Sequence, residues 1–292
     1  ASAGTSNFRA GVNAGNSIAS GGNYNVTVGD EAGTAITTGD GNVAVGFEAL
    51  ATEDADGSNT AIGYRALKVL NAGAEGYNVA VGTDAGLSMT LGIQNTLVGN
   101  KAGDALTDAD FNVAVGRSSL TSDTLGSKST AVGHGTLNTQ NFTSATDSFN
   151  TAVGYQAGAA VTTGIQNTLI GSLAGDANTT GDQNTAVGFN ALTSNTTADS
   201  NTAVGYNSMA ATTTGASNVA VGGNALDANT TGASNVAVGW NSMTTSTTSS
   251  ENTAVGQSSL GLNTTGGQNV AVGKSALGAN TTGTLNTAVG QG

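Results

Sequence analysis

Residues 213–226 read Thr-Thr-Gly-Ala-Ser-Asn-Val-Ala-Val-Gly-Gly-Asn-Ala-Leu, and the block Asn-(Thr/Val)-Ala-Val-Gly inside this stretch recurs with small variations as far as Gly290. The first residues of its 16 copies stand at positions 25, 42, 59, 78, 95, 112, 129, 150, 167, 184, 201, 218, 235, 252, 269 and 286. Thirteen of the 15 intervals are 17 residues long, and the other two, 59 to 78 and 129 to 150, are 19 and 21. A fixed period that tolerates short insertions is typical of a solenoid.

We therefore predict an all-β fold, a parallel β-solenoid of about 16 coils with a 17-residue period. The repeat domain spans residues 25–292, and residues 1–24 form a degenerate N-terminal coil and connector. Coil positions are counted from the asparagine, so that Asn218 is position 1 and Gly222 is position 5 of their coil.

Side chains alternate between the two faces of a strand, so positions 2 and 4 share one face while positions 1, 3 and 5 share the other. The first face is β-branched, as in Val219 and Val221, and the second is small, as in Asn218, Ala220 and Gly222. We expect the β-branched face to fill the coil and the small face to meet a second copy of the chain. Repetition also predicts ladders of stacked asparagines and glycines. We name as ladder residues Asn42, Asn218, Asn235, Gly46, Gly222 and Gly239.

Coil positions 9 and 12 exchange apolar residues. Where position 9 is Leu, position 12 is usually polar, as in Leu226 with Asn229; where position 9 is Gly, position 12 is usually apolar, as in Gly103 with Leu106. Two ways of filling one core slot would explain the exchange, because an empty slot of leucine size costs about 2–5 kcal/mol. Gly175 with Asn178 breaks the pattern.

The composition excludes several function classes. A net charge of -12 with only seven Lys and Arg argues against a nucleic-acid partner. No apolar run approaches the roughly 20 residues of a membrane-spanning helix, so we expect no direct membrane insertion. The chain has no cysteine, so no disulfide framework holds it together.

The stretch 213–226 resembles the head repeats of YadA-like trimeric autotransporter adhesins and equally the repeats of phage tail fibres. The resemblance covers residues 25–292, with a degenerate copy over residues 7–15. It implies a left-handed parallel β-roll, a homotrimeric fibre, and attachment of a cell or virion to a surface. The coil is longer here than the usual head repeat. Motifs of this kind specify architecture more strongly than ligand.

Few residues suggest chemistry. His134 is the only histidine, and a solvated turn residue explains it better than catalysis. The acidic run at residues 53–57 would offer oxygen ligands to Ca²⁺, but it fits a calcium loop poorly and favours a solvated turn. We therefore predict no catalytic residue, no metal site, no cofactor and no enzymatic activity. Six aromatic residues at position 6 would offer stacking platforms to a glycan if they face outward. These are Phe47, Tyr64, Tyr155, Phe189, Tyr206 and Trp240.

The sequence thus predicts a non-enzymatic extracellular, cell-surface or virion-surface fibre, whose partners are its own copies and a surface glycan or receptor. Two alternatives stay open. Thr-Thr pairs at positions 13 and 14 of eight consecutive coils, Thr162-Thr163 to Thr281-Thr282, would suit an ice-binding solenoid. A polysaccharide depolymerase of the tailspike kind would need converging carboxylates, which the scattered acids do not provide.

Overall fold

The computed structural model describes residues 4–73 and 75–292. The chain forms two compact units, Ala1–Phe149 (unit 1) and Asn150–Gly292 (unit 2). Within the described residues every regular element is a β-strand, so no helix there is long and apolar enough to cross a bilayer.

The strands are short and recur once per coil. Unit 1 holds β1 (Phe8–Ala10), β2 (Val26–Val28), β3 (Val43–Val45), β4 (Thr60–Ile62), β5 (Val79–Val81), β6 (Thr96–Val98), β7 (Val113–Val115), β8 (Gly126–Ser127), β9 (Thr130–Val132) and β10 (Thr146–Asp147). Unit 2 holds β11 (Thr151–Val153), β12 (Thr168–Ile170), β13 (Thr185–Val187), β14 (Thr202–Val204), β15 (Val219–Val221), β16 (Val236–Val238), β17 (Thr253–Val255), β18 (Val270–Val272) and β19 (Thr287–Val289).

Strands of successive coils pair in parallel and in register, so that equivalent repeat positions face each other. In unit 2, Ala203 of β14 pairs with Ala220 of β15, and Ala220 pairs with Ala237 of β16. The 19-residue coil keeps this register, since Thr60 pairs with Val79. These pairings confirm the predicted parallel β-solenoid with a 17-residue period. The count is about 17 coils, because β1 of the degenerate N-terminal copy also pairs with β2.

The longest coil carries an addition to this pattern. β8 and β10 form a separate two-stranded parallel sheet within unit 1, with Thr146 opposite Gly126. β10 lies in the segment 141–149, where the 21-residue repeat has its extra residues. The insertion thus gains backbone pairing of its own.

The expectation about the two strand faces is wrong. Asn218 and Ala220 are fully buried, whereas Val219 and Val221 are partly exposed, and the same order holds along the sheets. The small residues therefore point into the coil, and the β-branched residues of positions 2 and 4 point out. Alternation could not decide between the faces, because neither carries a charge.

The turn geometry closes the coil around this narrow interior. Position 5 glycines have φ between about +121° and +140°, and a Cβ on Gly222 would lie 2.5 Å from the carbonyl oxygen of Gly239. Positions 7, 9 and 17 are also left-handed, as at Asn224, Leu226 and Ser234. Four left-handed residues per coil bend the chain sharply enough to return after 17 residues.

The core slot of positions 9 and 12 is filled as the exchange suggests. A Cβ on Gly103 would lie 2.8 Å from Leu106 Cδ1, so the position 12 side chain occupies the space that position 9 leaves open. The exception at Gly175 has a physical reason. There Leu169, at position 3, supplies the filling side chain, 2.7 Å from the same kind of virtual Cβ.

Candidate functional site

The outward side chains of positions 2 and 4 form the most continuous surface of each unit, which we call the outer face. All 32 of these positions in the 16 copies hold Val, Ile or Thr, and none is charged. Nine of the position 2 residues are threonines, and none of their hydroxyls hydrogen-bonds to another residue in the described ranges. They are Thr60, Thr96, Thr130, Thr151, Thr168, Thr185, Thr202, Thr253 and Thr287. The outer face therefore offers methyl groups and unengaged hydroxyls to a partner.

The asparagine column of position 1 holds the coils together from within. Asn218 Oδ1 accepts the backbone N–H of Asn235 at 3.0 Å, and Asn218 Nδ2 donates to the Gly232 carbonyl of its own coil at 2.9 Å. Asn42 repeats both contacts in unit 1, with the N–H of Asn59 and the Asp56 carbonyl. Each side chain thus joins two coils and also closes its own.

Asn235 continues this column, since its Oδ1 accepts the N–H of Asn252 at 3.1 Å. Gly46 and Gly239 belong to the position 5 column, where a Cβ would strike the next coil's glycine at 2.4 and 2.6 Å. Buried amide hydrogen bonds and close backbone contact give these ladder residues a structural role.

The six position 6 aromatics are half-exposed and stand beside the outer face. Phe47 stacks on Tyr64 with ring centroids 5.5 Å apart, and Phe189 stacks on Tyr206 at 5.8 Å. Trp240 lies against Gly223, whose virtual Cβ would be 2.4 Å from the indole. Rings that stack on one another present their edges to solvent, whereas stacking on a sugar needs a free ring face.

The six are Phe47, Tyr64, Tyr155, Phe189, Tyr206 and Trp240, and the structure brings them together only in part. Tyr155 is exposed, with Ser172 at the same position of the following coil. A second aromatic column, at position 17, was missed in the sequence. Its exposed members are Tyr24, Tyr77, Phe111 and Phe149. The recurrence of aromatics one residue before the asparagine was the available signal.

The threonine pairs of unit 2 divide their roles. Position 13 hydroxyls donate to the position 13 carbonyl of the next coil, as Thr230 Oγ1 does to Thr247 O at 3.0 Å. Position 14 threonines, such as Thr231, are exposed at a bend. Only one member of each pair is therefore available to a ligand, and the hydroxyls free of internal contacts in strand geometry are those of the outer face.

The ionisable residues serve coil-to-coil contacts. Asp182 and Asp199 each accept a backbone N–H from the preceding coil, at 2.8 Å. Thr244 Oγ1 donates to Asp227 one coil earlier, at 2.7 Å. His134 is exposed, with its Nε2 3.3 Å from Arg117 Nη1. Among the described residues, no group of three His, Cys, Asp or Glu is arranged to hold a metal ion.

The solvated turn expected at residues 53–57 is wrong for its first residue. Glu53 is fully buried at position 12, where the two neighbouring coils carry the buried Ile36 and Leu70. Its Oε1 accepts the N–H groups of Asp54 and Asp56 at 3.1 Å, while its Oε2 has no hydrogen-bond partner. Burial raises the pKa of Glu53 from 4.5 to about 7.

Asparagine at position 12 of unit 2 forms a second capping column that sequence reasoning treated only as a polar filler. Asn229 Oδ1 accepts the N–H of Gly232, and its Nδ2 donates to the Gly232 carbonyl, both at 3.0 Å. Asn195 makes the same pair of contacts with Ala198. The recurrent Asn-Thr-Thr-Gly of unit 2 was the signal for this cap.

No protein-family model matches the chain, and a search of curated proteins finds no similar relative. The site therefore has to be interpreted from its own geometry.

Proposed function

We propose that the chain is a non-enzymatic fibre protein that assembles as a homotrimer outside the cell or on a virion and serves adhesion or host attachment. One observation carries the proposal: every coil presents Val, Ile or Thr, and never a charge, at both outward strand positions. A surface of this composition, repeated without interruption in the copies, suits burial against an identical surface.

The area of the outer face is adequate for stable association. A three-residue strand spans about 10 Å and neighbouring strands lie about 4.8 Å apart, so the strands of each unit give about 400 Å². Both units together offer about 800 Å² per chain, which is about what each partner contributes to a standard protein interface.

The number of chains comes from the resemblance to trimeric adhesin heads and tail fibres, which also implies a left-handed coil. In a closed cyclic trimer each chain would turn its outer face to the common axis and keep its turns in solvent. The net charge of -12 would then lie on the outside, where it favours solubility.

The non-enzymatic part of the proposal is supported by the roles of the polar groups. Asp182, Asp199 and Asp227 are engaged in contacts between coils. His134 is exposed beside Arg117. General acid or nucleophilic catalysis would need such groups to converge on one substrate position.

The test is the mass of the chain in solution, measured by light scattering. We expect three times the chain mass of 28.1 kDa for the wild type. Val238→Lys, on the outer face, should lower the mass to that of one chain, and Thr248→Lys, at an exposed position 14, should not. A monomeric wild type would contradict self-association, and a dimer would contradict the trimer.

Ice binding is the second candidate, and the nine unengaged threonine hydroxyls of the outer face favour it. In this case the face would order water instead of meeting other chains. The expected signature is thermal hysteresis that Thr202→Tyr abolishes and Thr230→Tyr spares, because Thr230 lies outside the outer face. A trimer without hysteresis would reject this candidate.

A further inference from the structure

A groove in unit 2 opens where two consecutive coils lack a side chain at position 10. Gly261 and Gly278 are the two glycines, and the other copies carry a larger residue at this position. Neither glycine has a positive φ, so the backbone does not require glycine there. The groove has a volume of about 380 Å³, within the range of about 300–1,000 Å³ that is common for ligand sites.

Polar groups line one side of this groove at equivalent positions of three coils. Asn241, Ser258 and Ser275 all stand at position 7, with the same left-handed backbone. Strand pairing places such equivalent positions about 4.8 Å apart. The two serine hydroxyls have no hydrogen-bond partner among the described residues, and the Asn241 carbonyl oxygen accepts a bond from Asn224 at 3.3 Å.

The opposite side of the groove is apolar. Leu262 is 55% exposed and Ala279 stands one coil further on, with the two glycines between them and the polar column. None of the lining residues is charged. The arrangement offers a row of hydroxyl and amide groups opposite an aliphatic wall.

We propose that this groove binds a neutral saccharide. A pyranose ring has hydroxyl groups along its edge and C–H groups on its face, which match the serine and asparagine column and the Leu262 wall respectively. A charged ligand would find no counter-ion in the lining, and a wholly apolar ligand would leave the hydroxyls unpaired. The site is distinct from the outer face and from the aromatic columns, so it goes beyond the proposed assembly.

Saturation-transfer NMR tests the site, with the full chain and a panel of glucose, galactose, mannose and N-acetylglucosamine, beside glucuronate and glucosamine as charged counterparts. We expect at least one neutral sugar to bind and the charged counterparts not to bind. Ser258→Ala and Ser275→Ala should each weaken binding about three- to tenfold, the loss of one hydrogen bond.

Gly261→Thr should abolish binding by filling the groove, since the only atom near its added Cβ is the Ser258 carbonyl oxygen at 3.0 Å. Ala210→Thr, at the same coil position outside the groove, is the matched control, and circular dichroism checks that both variants fold. No binding by any neutral sugar, binding of the charged sugars alone, or binding that survives Gly261→Thr would overturn the proposal. Light scattering on the same samples reports trimer formation separately, so either proposal can fail without the other.

Discussion

Coil position 12 is filled in different ways in the two units. In unit 1 it carries Ile36, Glu53, Leu70, Met89, Leu106, Asp123 and Gln140. In unit 2 it carries Val161, Asn178, Asn195, Thr212, Asn229, Ser246, Asn263 and Asn280. Unit 1 thus mixes apolar and ionisable residues, whereas unit 2 has one apolar residue followed by uncharged polar ones.

The difference shows that one narrow core accepts two physical solutions. An apolar position 12 fills the slot beside a glycine at position 9, as Leu106 does beside Gly103. A polar position 12 leaves the slot to a leucine and caps the backbone of its own coil, as Asn229 does beneath Leu226. Glu53 follows neither solution completely, because one of its carboxylate oxygens is buried without a partner.

The largest expected effect comes from emptying the slot in unit 2. Leu226→Gly should lower the free energy of unfolding by about 2–5 kcal/mol through the cavity it leaves, less a small gain from relieving the positive φ. Adding Asn229→Leu should restore part of the loss, since a leucine at position 12 fills the slot in unit 1. Denaturant titration of the single and double variants measures the coupling. Strictly additive losses would contradict the shared slot.

The orphaned carboxylate of unit 1 predicts a pH effect. Glu53 has a folded pKa near 7, above the unfolded value of 4.5, so its contribution to stability is complete below about pH 4.5 and is lost as the pH rises through 7. Glu53→Gln should therefore stabilise the protein by about 3 kcal/mol at pH 8.5 and by little at pH 4.

Denaturation midpoints at both pH values measure this difference. The control is Glu251→Gln, because Glu251 is exposed. A Glu53→Gln gain that is equal at both pH values would show that the carboxylate is not ionised by burial-dependent titration.

The smallest effect separates the two threonines of unit 2. Thr230→Val removes the bond to the Thr247 carbonyl and should cost about 0.5–1.5 kcal/mol. Thr231→Val, at the exposed neighbour, should change stability by less than about 0.5 kcal/mol. Equal costs for the two substitutions would remove the distinction between position 13 and position 14.

The sequence allowed the period, the parallel stacking and the slot exchange to be predicted, because each depends on which residues recur at a fixed spacing. It did not show which strand face is inside, because both faces are uncharged and the sharp turns decide the matter. A signal was nevertheless present. Position 3 departs from alanine only where position 9 is glycine, as at Thr27 with Gly33, Leu97 with Gly103 and Leu169 with Gly175. Such an exchange places position 3 in the same core as position 9.

The burial of Glu53 and the groove at Gly261 and Gly278 were harder to foresee. Both depend on what the neighbouring coils hold at one position: Ile36 and Leu70 around the glutamate, and a second glycine beside the first. A pattern read along the chain does not weigh such neighbours until the coils are stacked.

The assignment of the inner and outer faces is tested most directly by lysine substitution at two adjacent positions of β16, followed by far-ultraviolet circular dichroism. Ala237 is fully buried, so Ala237→Lys would place an unpaired charge inside the coil and should destroy the β-sheet signal of unit 2. Val238 points outward, so Val238→Lys should keep that signal even where it lowers the mass. A folded Ala237→Lys beside an unfolded Val238→Lys would contradict the account.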